Sequence, residues 1–172
     1  MKRVAFCFFL SLSSIWASVT DITPDQAYAK QQEGAIVIDV RTPQEYFYIG
    51  HAPGHINVPF YFEQFSMEET EKREKFSIAE TKILKRAVTP KNAFKIQQIP
   101  NDDFGVEVLK LAKSKDTALI LICKAGERSK AAAHILEDKG FTNIYSVING
   151  FSGKKDEPNN GWVNTPSLPW GK

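Results

Sequence analysis

Residues 119–136 read LILICKAGERSKAAAHIL, and the position of the cysteine in them decides how the rest of the chain is read. Leu119 to Ile122 form a short apolar run of the kind that makes a strand buried on both faces, and the residues after Arg128 have helical composition. Lys124 to Arg128 are too few for anything but a tight loop that opens into that helix. Cys123 is therefore expected as the last residue of a strand, facing a helix N-terminus.

The same strand-then-helix order recurs along the chain. Thr23-Pro24-Asp25-Gln26 is a capping signature with proline at the first helical position, and Gly34 is a stop, so 24–32 is expected to be helical. AIVIDV at 35–40 is a strand, and Thr42-Pro43-Gln44-Glu45 repeats the capping signature at its end. Further expectations are a short strand at 56–58, a helix at 103–113 capped by Asn101 or Asp102, a strand at 117–123, a helix at 128–139 closed by Gly140, and a strand at 143–148. Alternating strands and helices predict an α/β fold with a central, mostly parallel sheet and helices on both faces.

Two segments stand outside this pattern. The stretch 60–99 is an insert; Phe76, Ile83 and Leu84 in it, at helical spacing among many charges, predict one amphipathic helix on the surface. The tail after Gly150 is loop-like, and Trp162 and Trp170 are expected to pack back onto the domain.

The first residues are of another kind. Lys2 and Arg3, an apolar run over 4–15 and Trp16-Ala17-Ser18 have the parts of a secretory signal peptide, cleaved near Ala17. The run is well short of the roughly 20 residues a spanning helix needs, so no stable membrane insertion is expected. The expected organisation is a signal peptide at 1–17, one domain at 18–172 with its insert, and a periplasmic location. Cleavage removes Lys2 and Arg3 and no acidic residue, leaving the 20 Asp and Glu matched by as many Lys and Arg. That balance gives no reason to expect nucleic acid or a membrane surface as partner. It also removes Cys7 and leaves Cys123 alone, so no internal disulfide can form, and a single thiol in an oxidising compartment is either a small buried apolar residue or a reactive group.

Position favours the reactive group. Ligands bind at the carboxyl ends of strands in a parallel sheet, and a helix N-terminus favours an anion there. A cysteine at such a site is favoured as the thiolate, which is the nucleophile. Gly126 lets the backbone curl so that successive N–H groups point into one cup, and Lys124 and Arg128 add positive charge. Three scattered histidines without paired spacing form no metal site, and no cofactor is required.

With these residues in view, CKAGERS resembles the active-site loop of the rhodanese family of sulfurtransferases. IDVRTPQEY, GHAPGHINVPF and KGFTNIYSVINGFSG resemble further segments of that family in the family's order, and NGWVNTPSLPW resembles the ending of its exported single-domain members. The resemblance implies a sulfurtransferase in which Cys123 takes sulfane sulfur from a small anionic donor, thiosulfate or polysulfide, and passes it as a persulfide to a thiol, cyanide or a protein thiol. Lys124, Ala125, Gly126, Glu127, Arg128 and Ser129 would form the substrate loop, Arg128 bracing it or binding the donor's anionic end. Asp39 and Arg41 would support the cradle, and His51 would serve as a structural hydrogen-bonding residue. His134 is expected on the exterior of its helix. Glu127 departs from the small or basic residue usual in the loop and is expected to face the cup. Two rivals are a sulfur-carrier module serving a protein partner and a Cys-based phosphatase or arsenate reductase. The latter's loops place one residue more between Cys and Arg than the four here, Lys124 to Glu127.

Overall fold

The computed structural model describes residues 19–66, 95–157 and 160–171. The signal segment and the amphipathic helix expected around Phe76, Ile83 and Leu84 lie outside these residues. Five strands, β1 (Thr20–Ile22), β2 (Ile36–Asp39), β3 (Ile56–Asn57), β6 (Leu119–Ile122) and β7 (Ile144–Val147), form one sheet in the order β1-β7-β6-β2-β3, every pair parallel. Helices α1 (Pro24–Gln32), α2 (Phe104–Leu111) and α3 (Glu127–Asp138) provide the crossovers. This is the expected rhodanese-like α/β architecture.

Local chemistry explains the elements. Thr23 Oγ1 accepts from the Gln26 amide at 3.3 Å while Gln26 Oε1 accepts from the Thr23 amide at 2.9 Å, so the first orphan donors of α1 are satisfied reciprocally. Thr42 and Glu45 repeat the exchange at 3.1 and 3.3 Å, but there the chain makes only a short turn followed by a π-helical segment, Glu45–Ile49, rather than a full helix. Helix α2 is shorter than expected because Ala112 is already extended; Asn101 Oδ1 accepts from the amide of Asp103, the residue before the helix.

Strand β6 is flanked on both sides, and all four of its residues are buried. Alternation sorts them: Leu119 and Leu121 pack with Phe104, Val108, Ala132, Ala133 and Leu136 on one face, and Ile120 and Ile122 with Ala27, Val147, Phe151 and Trp162 on the other. Cys123 follows the last strand residue instead of being it, and it continues the Leu119 and Leu121 face. Trp162 packs back as expected and is fully buried, its indole N–H donating to the Pro169 carbonyl. Trp170 meets the Phe151 ring edge-on but stays 44% exposed.

Three strands were not foreseen. The three residues of β1 are too short to signal a strand. The ends of the insert pair as antiparallel strands β4 (Tyr61–Ser66) and β5 (Lys95–Pro100), forming a separate ribbon. Its apolar pairs, Phe62 with Ile99 and Phe65 with Ile96, fall on opposite faces, so neither strand has the one-sided alternation that reveals a strand in sequence.

Candidate functional site

Strand β6 delivers Cys123 to the carboxyl edge of the sheet, and α3 begins four residues later. Gly126 makes the connection at φ +109°, ψ −24°, a left-handed conformation that favours glycine. In that conformation its amide donates to Cys123 Sγ at 3.1 Å. Its carbonyl accepts from Ser129 Oγ at 2.9 Å and from the Lys130 amide at 3.2 Å. Buried Ser129 receives in turn the hydroxyl of buried Ser146 at 3.2 Å. The amides of Lys124, Ala125, Glu127 and Arg128 have no acceptor among the described residues, leaving unpaired donors in the loop that follows Cys123 and at the start of α3.

The loop rests on the segment after β7. The Phe151 amide donates to the Cys123 carbonyl at 2.7 Å and the Ser152 amide to the Lys124 carbonyl at 2.9 Å. Gly150, at φ +56°, lies directly beneath: a Cβ there would overlap the Cys123 carbonyl oxygen and come within 2.7 Å of the Ala125 nitrogen. None of these three was singled out individually in the sequence, where they belong to a glycine-containing stretch whose contact with residue 123 depends on the parallel pairing of β6 with β7.

Arg128 is committed to a partner. Its Nη1 and Nη2 donate to Glu45 Oε2 and Oε1 at 2.6 and 2.8 Å, a fork between side chains only 19% and 17% exposed. Burial pushes the Glu45 carboxyl upward, but the Arg128 hydrogen bond and charge, the Thr42 amide and the nearby Arg41 charge outweigh it and hold the group below the usual carboxylate range. Burial likewise works against the Arg128 cation, and the Glu45 hydrogen bond and charge outweigh it, aided by the charges of Cys123 and Asp39. Arg128 is thereby tied to Glu45 on the segment after β2, with both arms of its fork on that carboxylate. Glu45 was seen in sequence only as a capping residue; its pairing across 83 positions carries no local signal.

Asp39 and Arg41 form a second, wholly buried pair. Arg41 Nε and Nη2 grip the carboxylate at 2.6 to 3.0 Å, and Nη2 also reaches the Gly50 carbonyl at 2.8 Å. The guanidinium carbon lies 4.0 Å from the centre of the Phe151 ring, so the pair supports the residue whose amide holds Cys123. His51 stacks on Tyr46 at 4.0 Å and places Nδ1 3.3 Å from its carbonyl, a structural setting. His134 is exposed beside Glu137.

The charged tips of the loop face water. Lys124 and Glu127 are exposed and make no ion pair among the described residues, and Lys130 pairs with Asp21 at 2.9 Å. Glu127 lines a shallow hollow with Asp21, Lys130, Ile148 and Lys154 that Cys123 does not border, so it does not face the cup as expected. The reason is its place on the first turn of α3, whose inward positions are taken by Ser129, Ala132 and Ala133.

His55 is the residue whose setting the sequence hid most. It is 5% exposed, edge-on to Trp162 at 4.6 Å, with neither ring nitrogen hydrogen-bonded. Burial, with the Arg41 and His51 charges adding to it, pushes its pKa down to about 3, so it is neutral at ordinary pH.

Fold and site together define a parallel α/β domain that presents one cysteine in an amide-lined loop between strand and helix. A model of the rhodanese-like domain matches residues 23–157, and the chain belongs to that family. It is 28% identical over 130 residues to the thiosulfate sulfurtransferase GlpE of Pseudomonas entomophila, covering 76% of this chain and 79% of that one. Over 71 residues it is 34% identical to the uncharacterized protein RP600 of Rickettsia prowazekii, covering 41% and 55%. Among solved structures, Rv0390 from M. tuberculosis superposes with a TM-score of 0.59 at 22% identity, covering 90% of this chain and 98% of that one.

Proposed function

We propose that this protein is a sulfurtransferase that carries sulfane sulfur on Cys123. The observation that carries the reading is the contact of Cys123 Sγ with the Gly126 amide in a loop whose neighbouring amides are unpaired. The Cys123 thiolate attacks the outer sulfur of thiosulfate or a polysulfide. A new S–S bond forms, the donor's S–S bond breaks, and sulfite or a shortened polysulfide leaves with the bonding pair. The loop amides stabilise the charge that develops on sulfur. A thiol, cyanide or protein thiol then attacks the terminal sulfur and restores the thiolate. Nothing in this cycle needs a metal, a cofactor or a general base, which accords with His51 stacked on Tyr46 and His55 buried against Trp162.

The kinship with thiosulfate sulfurtransferases supports the donor class. A phosphatase reading fits less well, because Arg128 is held by Glu45 and is not free to grip a tetrahedral oxyanion. The opening sequence supports export, cleavage near Ala17 and action of the 18–172 domain in the periplasm. Among the described residues no helix is long and apolar enough to cross a membrane. Intact-mass measurement of purified protein after exposure to thiosulfate or polysulfide tests the chemistry: one added sulfur per chain, located on Cys123, is expected, and an unmodified Cys123 with both donors would refute it.

A further inference from the structure

We infer that Glu45 is a positioning and specificity-determining residue that withholds Arg128 from the sulfur donor, so that the site favours sulfane donors bearing a single negative charge over dianionic thiosulfate. This rests on the reading of Cys123 as the sulfur carrier. A guanidinium in the Cys123 loop is well suited to bind a doubly charged oxyanion, since its planar fork matches two oxygens at once. Here both arms of that fork are occupied by Glu45, at 2.6 and 2.8 Å. The carboxylate is itself fixed, because Oε2 also accepts from the Thr42 amide at 3.1 Å and Thr42 is fully buried. With both partners more than four-fifths buried, the pair is shielded from water and salt, unlike an exposed ion pair.

The rest of the loop does not replace the lost charge. Lys124 is exposed and its field is screened, and exposed Glu127 offsets it on the same loop. What remains for the donor is the set of backbone amides around Cys123 and the start of α3. These stabilise charge developing on one sulfur without matching a second full charge at the donor's far end. The second charge of thiosulfate would have to give up hydration with no fixed cation to meet it.

The test compares thiosulfate with benzenethiosulfonate, a monoanionic donor whose outer sulfur transfers with benzenesulfinate leaving, both with cyanide as acceptor and thiocyanate as readout. Wild type is expected to show the lower KM for benzenethiosulfonate. Glu45→Gln keeps the shape and an acceptor for Thr42 but unbalances Arg128. It should lower the thiosulfate KM by about tenfold, the size of one charge-assisted hydrogen bond, and change the benzenethiosulfonate KM far less. The gain should vanish in the double variant Glu45→Gln with Arg128→Gln. Arg128→Gln alone should lower kcat for both donors while leaving the ratio of their KM values unchanged. If Glu45→Gln moves both donors by the same factor, Glu45 only braces the loop and the inference is overturned. It is equally overturned if Arg128→Gln raises the thiosulfate KM selectively, a result that stands even where Glu45→Gln fails to fold. Wild type that makes no thiocyanate and gains no sulfur on Cys123 with either donor would remove both the inference and the reading beneath it.

Discussion

The Phe151 amide and the Cys123 carbonyl are joined by a 2.7 Å hydrogen bond, so the backbone of the candidate nucleophile is held by the segment that follows β7 as well as by its own strand. Gly150, one residue earlier, is what allows that approach. The site is thus built from the loop between β6 and α3 and from the segment after β7, the last strand of the sheet, and disturbing either should be felt at the sulfur.

Gly150→Ala is the direct test of this arrangement. It imposes a side chain at φ +56° and drives a Cβ into the backbone at Cys123 and Ala125. A loss of at least about 2 kcal/mol is expected, as for other substitutions that combine backbone strain with a clash. Urea denaturation should show the midpoint falling; an unchanged midpoint would mean the loop yields freely.

Ser129→Ala removes the hydroxyl that fixes the Gly126 carbonyl and leaves the buried Ser146 hydroxyl without its acceptor. A cost of about 1–2 kcal/mol is expected, because a buried polar group is orphaned. Since the Gly126 amide faces Cys123 Sγ, sulfur loading should also slow. Denaturation together with the rate of mass gain at Cys123 checks both effects.

His55 gives a pH dependence with a definite sign. In the unfolded chain it protonates near its ordinary pKa, about 6.5, whereas in the fold it resists until about 3. Between these values the unfolded state binds the extra proton, so His55 lowers stability as pH falls from about 6.5 toward 3, by at most about 1.4 kcal/mol per pH unit. Above that window it contributes no slope. His55→Phe, which keeps a ring against Trp162, should have a flatter stability profile between pH 6.5 and 4 than wild type. Parallel profiles in urea titrations would show that His55 is not buried as a neutral ring.

Much of the fold could be read from the chain because its signals are local. The Thr23 and Thr42 capping boxes, the apolar run at 119–122 and the stop at Gly140 each act within a few residues, and each is present in the structure. The position of Cys123 at a strand-to-helix loop follows from the same signals. What escaped depends on distance or on weak patterning. Glu45 meets Arg128 across 83 positions, Gly150 meets Cys123 only after β6 and β7 pair, and the ribbon β4–β5 joins ends of the insert through apolar pairs split between two faces. Glu127 lies outward because the helical phase assigns the inner positions to Ser129, Ala132 and Ala133, and its charge alone does not reveal that phase.

The central claim is that sulfur is carried on Cys123, and the most direct measurement is the intact mass of wild type and Cys123→Ser after incubation with thiosulfate or benzenethiosulfonate. The substitution exchanges a buried thiol for a hydroxyl of similar size, so both proteins should be folded by circular dichroism, but oxygen cannot accept the sulfur as a persulfide. Wild type should gain one sulfur that cyanide removes as thiocyanate, and Cys123→Ser should gain none. A folded Cys123→Ser protein that still gains a transferable sulfur, or a wild type that gains none from either donor, would contradict the account.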